Sequence, residues 1–335
     1  MINKTLLSLP FDQYSRQMQV LDIINSIRKN NKKYTILDVG GYKGATSEIH
    51  KDDTVTVLDV FDIKEKGYIK GDALDMSFGD SSFDFVVSFD VLEHIAENDR
   101  DKFIHEISRV AKVAAIVAAP TRTEGNSYSE DAVNRIYKKI NRTNHPWLKE
   151  HIDNGLPNTA AAERAMRSMG LETLIYPSND TQLWLAMQGI IFIGSKYPEV
   201  AKVIGPLNTS YNKLGPFDGG GMEGCDYRNI LVGSSNNDVI RAIESSIDNT
   251  GLSFMSKLKA QNDITNAYLD AIRSISDERD ALASRAMGLD HACQKLSGDI
   301  RKLKNTEQEL KNIKESKAYR LAKSMLRFKS TVKGK

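Results

Sequence analysis

The sequence predicts an α/β protein, built as a doubly wound, mostly parallel seven-stranded sheet followed by a long C-terminal helical coiled coil. Three observations carry this. Short apolar runs alternate with amphipathic stretches, the pattern of a parallel sheet covered by helices on both faces. Two of the runs, Ile36-Leu37-Asp38-Val39-Gly40-Gly41 and Phe83 to Ile95, read as buried strands that end beside an acid and then turn. From about residue 250, apolar residues recur at alternating spacings of four and three. The sheet domain is expected over residues 1–235, with insertions near 121–157 and 177–225, and the helical region with a basic tail over 236–335.

The elements follow in order. Val20, Ile23, Ile24 and Ile27 share one face of a helix over 11–29. Strands are expected at 34–39, 54–59, 67–70, 83–88 and 113–119, with the clearest intervening helix at 98–111, where Phe103, Ile104, Ile107 and Val110 share a face. After Pro120 the alternation breaks for about forty residues, the mark of an insertion. A helix at 158–169 stopped by Gly170, then strands at 171–176 and 227–232, complete the sheet; the Gly-rich turn 215–224 belongs to a second excursion. The apolar run Leu183 to Gly194 is too short to span a bilayer and reads as a buried or interfacial segment.

In the C-terminal region, Phe254, Gln261, Tyr268, Ile275, Leu282, Leu289, Leu296, Leu303 and Leu310 form one heptad register. Leu258, Thr265, Ile272, Arg279, Ala286, Cys293, Ile300 and Glu307 form the interleaved one. This seam predicts a homo-oligomer; the same pattern also fits an amphipathic helix folded back on the sheet domain. Charge is unevenly spread. The net value is +2, but residues 311–335 carry +8 and the rest −6. Ala318, Leu321, Ala322, Met325 and Phe328 share a helical face opposite Lys317, Arg320, Lys323 and Arg327, so residues 316–329 suit peripheral contact with an anionic membrane. An acidic body excludes a broad nucleic-acid groove. Two cysteines and no signal-peptide pattern fit a cytoplasmic protein, at most peripheral to the membrane.

The order Asp38-x-Gly40-Gly41-x-x-Gly44, Asp59, Gly71-Asp72-Ala73 and Phe89-Asp90-x-x-Glu93-His94 resembles the class I, Rossmann-like methyltransferases, of the type 11 kind, that use S-adenosyl-L-methionine. The resemblance implies that Asp38 faces the methionine amino group and that Gly40, Gly41 and Gly44 pass beside the ligand. It also implies that Asp72 and the amide of Ala73 read the adenine edge, and that Phe89 faces the methyl donor. A carboxylate ending the second strand can accept from both ribose hydroxyls, so Asp59 is a cofactor candidate; an NAD-binding domain would use it in the same way. Tyr42 stands where the family's loop carries a third glycine. Glu93-His94 reads as opening the next helix, where an acid also serves as plain dipole compensation.

Of six histidines, His50 follows the helix after the glycine turn, His105 lies on a surface helix and His291 in the coiled coil, leaving His94, His145 and His151 as catalytic candidates. Asn144-His145-Pro146-Trp147-Leu148-Lys149-Glu150-His151 with Gly155-Leu156-Pro157 resembles a segment of methyltransferases found with surface-polysaccharide assembly enzymes. His145, Glu150 and His151 with Trp147 would suit a sugar, which offers hydroxyls to hydrogen-bond and an apolar face to stack. A helix cap and a core tryptophan would explain the same residues. No metal-ligand spacing is evident, and no metal is expected. Ser316-Lys317-Ala318-Tyr319-Arg320-Leu321 resembles the segment that ends many coiled coils in bacterial glycosyltransferases and their companion methyltransferases. The expected function is O-methylation of a cell-surface glycan or its precursor. A small-molecule or lipid acceptor, and a non-catalytic coiled-coil scaffold, are the alternatives.

Overall fold

A computed structural model describes residues 6–42, 45–215, 225–246, 254–321 and 323–324. In chain order the elements are α1 (Phe11–Ser26), β1 (Thr35–Val39), α2 (Thr46–Ile49), β2 (Thr54–Asp59), β3 (Tyr68–Lys70), β4 (Phe83–Phe89) and α3 (Arg100–Val110). They continue with β5 (Ala111–Pro120), α4 (Glu124–Asn141), α5 (Pro146–Asn154), α6 (Thr159–Ser168), β6 (Glu172–Asp180), α7 (Thr181–Gly194), α8 (Pro198–Asn212), β7 (Asp226–Ser234), α9 (Asn237–Ser246) and α10 (Phe254–Glu315). The seven strands lie in the order β3-β2-β1-β4-β5-β7-β6. The first five are mutually parallel, and β7 runs antiparallel to both β5 and β6.

Alternation along each strand divides the apolar side chains between two cores. Leu37, Val39 and Val86 pack with Phe103, Ile104 and Ile107 of α3 and Met166 of α6 on one face. Ile36, Phe85 and Val87 pack with Val20, Ile23 and Ile24 of α1 and Ile240 and Ile243 of α9 on the other. Order reverses between β1 and β4, which opens a crevice at their carboxyl ends.

Both insertions fold as helix pairs. Asn126 of α4 ties the first pair to the strand ends: its Nδ2 donates to the carbonyls of Thr121, Asp226 and Tyr227, and its Oδ1 accepts from Thr181 Oγ1. The apolar run at 183–194 lies in α7, with Leu183, Trp184, Met187, Ile190 and Phe192 buried. Among the described residues no helix is long and apolar enough to cross a membrane.

The chain separates into two compact units, Met1–Ile272 and Arg273–Lys335. The first therefore extends past the expected boundary at 235. It takes in α9 and about five turns of α10, which bury Ala260, Ile264, Ala267 and Ala271. Tyr268 Oη donates to the Ala186 carbonyl of α7 at 2.8 Å, and a Cβ on Gly189 would overlap that hydroxyl. The buried stripe is thus not the heptad seam: Leu258 and Ile272 of the seam are exposed. The link to α7 is made by the long Tyr268 side chain, which a heptad count cannot reveal. In the second unit α10 is exposed from Asp277 onward, including Leu282, Leu289, Leu296, Leu303 and Leu310.

Candidate active site

β1 delivers Asp38 to the crevice and the chain then turns sharply, with Gly40 at φ +81° and its amide bonded to the Leu58 carbonyl at 2.8 Å. A Cβ on Gly41 would overlap the Asp38 carboxylate, so glycine is required for this close approach. Asp38 is buried; its Oδ2 accepts from Thr46 Oγ1 at 2.5 Å, while Oδ1 has no partner. Burial raises its pKa to about 6 against the opposing Thr46 hydrogen bond. Asp59 ends β2 and accepts from the amides of Tyr42 and Phe61, each at 3.1 Å. The rings of these two residues lie 5.0 Å apart and are exposed. Asp72 is exposed and closes a turn by accepting from the Leu74 amide at 2.8 Å; Ala73 packs on the first core. Phe89 is buried in the second core. Gly44 lies outside the described residues.

Beyond β4, Asp90 adopts φ +53° and is clamped by two arginines. Arg228 of β7 grips it with Nε at 2.6 Å and Nη2 at 2.7 Å, and Arg16 of α1 bonds its Oδ2. Arg228 is fully buried and also donates to Asn179. Sequence reading missed both arginines, because Arg228 follows Asp90 by 138 residues on a strand that inserts out of order.

Glu93 and His94 do not open a helix. They sit in a turn, and α3 begins at Arg100, so dipole compensation does not explain Glu93. Glu93 is completely buried and neither oxygen has a hydrogen-bond partner from another residue. Burial, then the neighbouring Asp90 charge, pushes its pKa up to about 8.

α5 brings His151 and Glu150 to the same place. His94 Nδ1 bonds Glu150 Oε2 at 2.7 Å, and His151 Nδ1 bonds Glu130 Oε1 of α4 at 2.9 Å. Tyr227 Oη donates to that same Glu130 oxygen at 2.8 Å. The two histidines face each other Nε2 to Nε2 at 3.4 Å. Burial lowers the His151 pKa, but Glu130, Glu93 and Asp90 outweigh it and hold the group above its usual value. The Gly155-Leu156-Pro157 motif fixes the end of α5, its carbonyls accepting from Arg100 and Arg122.

His145 does not join this cluster through a hydrogen bond. It precedes α5, its ring stacked on Phe192 at 4.9 Å and set edge-on to Tyr137 and Trp147. Trp147 is 65% exposed, so it is not a core residue.

Residues 37–119 match the methyltransferase domain family. Its cofactor is S-adenosylmethionine, and the unpaired, buried Asp38 Oδ1 at the end of β1 is a fitting partner for the ligand's ammonium group. Among known proteins, ajmaline N-methyltransferase of Rauvolfia serpentina is 35% identical over 83 residues, which is 23% of this chain; the chain spans only 28% of that relative's length. A SAM-dependent methyltransferase from Archaeoglobus fulgidus aligns over 66% of this chain and 94% of its own, at 13% identity and TM-score 0.41. The YcgJ protein of Bacillus subtilis covers 66% of this chain and 99% of its own, at 13% identity and TM-score 0.39.

Proposed function

We propose that the chain is a SAM-dependent O-methyltransferase that modifies a saccharide hydroxyl of a cell-surface glycan or its precursor. The observation that carries this reading is the facing pair His94 and His151, each oriented by its own carboxylate, at the carboxyl end of the strand next to β1. A hydroxyl acceptor has a proton to lose as its oxygen attacks; an amine or thiol needs less help. Trp147, exposed on the same helix as Glu150 and His151, offers an apolar face of the kind sugars stack on. A small-molecule or lipid acceptor would meet the same machinery. A non-catalytic scaffold would have no use for an oriented histidine and carboxylate set.

The bound cofactor supplies a methyl group on a sulfonium, ready for in-line displacement, and leaves as the thioether. Asp38 would hold the cofactor's ammonium and Asp59 the ribose diol. The imidazole pair receives the acceptor's proton at an Nε2 atom, while Glu130 and Glu150 hold the rings by their Nδ1 atoms. Alignment of acceptor and donor does the rest of the work. Mass spectrometry of surface glycan from cells with and without this chain tests the reading; identical methylation in both would overturn it.

Cofactor affinity should depend on Asp59. Asp59→Ala removes a charged acceptor from two hydroxyls and is expected to weaken binding by about 10- to 150-fold, roughly 1.5–3 kcal/mol. Because Asp59 also holds the Tyr42 and Phe61 amides, Asp59→Asn serves as the shape-preserving comparison in calorimetry. Unchanged affinity in both variants would move the ribose elsewhere.

The exposed leucines of α10 support self-association through a coiled coil. Since α10 up to Ile272 packs within the first unit, a chain ending at Ile272 should sediment as a monomer and still bind cofactor, while the full chain sediments as an oligomer. A monomeric full chain at micromolar concentration would refute this. The basic segment 316–329 suits an anionic membrane surface, although residues 322 and 325–329 lie outside the described residues.

A further inference from the structure

We propose that Glu93, His94 and His151 bind a divalent transition-metal ion, zinc by the character of the donors, with Glu130 and Glu150 as its supporting carboxylates. One ligand atom from each of the three residues lies within 4.8 Å of the other two. The two imidazoles are already oriented as metal ligands. Each bonds a carboxylate through Nδ1, which places the proton there and leaves the Nε2 lone pair pointing inward. Those two lone pairs face each other at 3.4 Å. That is long for a nitrogen hydrogen bond, whose usual length is about 2.9–3.0 Å. It is close to the roughly 3.3–3.4 Å edge of a tetrahedron with metal–nitrogen bonds of about 2.0–2.1 Å.

Glu93 supplies a second, independent indication. It is 0% exposed, neither oxygen is bonded by another residue, and it stands beside both nitrogens. A carboxylate buried in this way without a partner is costly, and a cation between it and the histidines would remove that cost. Arg16 and Arg228 are both engaged on Asp90, so neither guanidinium is paired with Glu93. Three protein donors leave a fourth position open, as in catalytic rather than structural zinc sites.

The inference deepens the reading of the site as one that activates a hydroxyl: the histidines would hold an ion that acidifies the acceptor, whose proton would pass to solvent water instead of to the imidazoles. The metal site itself does not depend on the acceptor's identity. The sequence concealed it because His94 and His151 are 57 residues apart and Glu93-His94 is not a ligand pair of any common spacing.

The experiment uses the full chain, purified without chelator and assayed by elemental analysis, then stripped and titrated with zinc and with cobalt. About one ion per chain is expected, and cobalt should give the visible absorption of a tetrahedral site. Glu93→Gln and His94→Ala should each weaken zinc binding by about 100-fold or more. Glu150→Gln alters an exposed supporting residue, and should weaken it by about 10-fold or more. Stoichiometric zinc unaffected by all three variants, or no zinc and no cobalt spectrum in the folded full chain, would overturn the proposal. Zinc bound without any effect on the surface glycan would spare the metal site and remove the glycan reading. Full glycan methylation by a metal-free enzyme would do the reverse.

Discussion

His151→Ala is expected to lower methyl-transfer turnover by about 100-fold or more while cofactor affinity stays near its unaltered value. The two functions sit on different parts of the chain. The residues assigned to the cofactor end, Asp38 and Asp59, lie on β1 and β2, whereas His151 is carried by α5, an insertion into the core fold. The imidazole is buried, so its loss also strands Glu130, leaving only Tyr227 on that carboxylate. A second variant separates chemistry from packing. In His151→Asn the amide nitrogen falls near the position of Nδ1 and can still donate to Glu130, but nothing replaces Nε2. It should therefore recover thermal stability without recovering turnover. Single-turnover rates and calorimetric cofactor binding on both variants check this. Full activity in either would leave the site without its proposed acceptor of the proton or ion.

Arg228→Ala should be the most destabilising single change in the sheet, at about 3 kcal/mol or more in chemical denaturation, because it leaves the Asp90 carboxylate in a buried site with only Arg16 opposite. Asp90 also gives this network a pH dependence. Burial alone would raise its pKa, but the Arg16 and Arg228 guanidiniums more than offset that and hold it below the usual carboxylate value. A depressed folded-state pKa contributes stability above the unfolded value, near 3.9, and that stability is lost as pH falls through the folded one. The unaltered protein should thus lose stability steeply on the acid side, and Arg228→Ala should show a shallower loss there. Parallel acid profiles for the two proteins would mean that Asp90 titrates alike with and without Arg228.

The sheet was legible in the sequence because its strands are written locally. Ile36-Leu37, Phe85-Val86-Val87 and the run at 111–120 are apolar on both faces, as buried parallel strands must be, and each stops at a turn residue or acid. Asp38 with Gly40 and Gly41 was legible for the same reason: strand, acid and turn are consecutive. The histidine cluster was legible only in part. His94, Glu150 and His151 were candidates, but their meeting depends on two insertion helices that no local pattern positions. Glu130 and Tyr227 carried no signal at all, being ordinary residues of a helix and a strand that become partners across 97 positions. His145 was read with its neighbours because it stands in the same motif; in space its ring belongs to an aromatic group with Phe192. The helical seam was legible as period but not as environment, since Ala260, Ile264, Ala267 and Ala271 are too small and mixed to stand out against the leucines that follow.

The place of β7 in the sheet has a consequence for the order of folding. β6 is made before β7, yet it pairs only with β7, which must come back past α7 and α8 to enter between β5 and β6. Such long-range closure is entropically costly and belongs late in folding. β7 also brings Tyr227 to Glu130 and Arg228 to Asp90. The β1–β4 half, with the residues assigned to the cofactor, needs none of this. A nascent chain can therefore assemble its crevice with Asp90 paired to Arg16 alone, and the same strand that seals the sheet is the one that completes the clamp on Asp90.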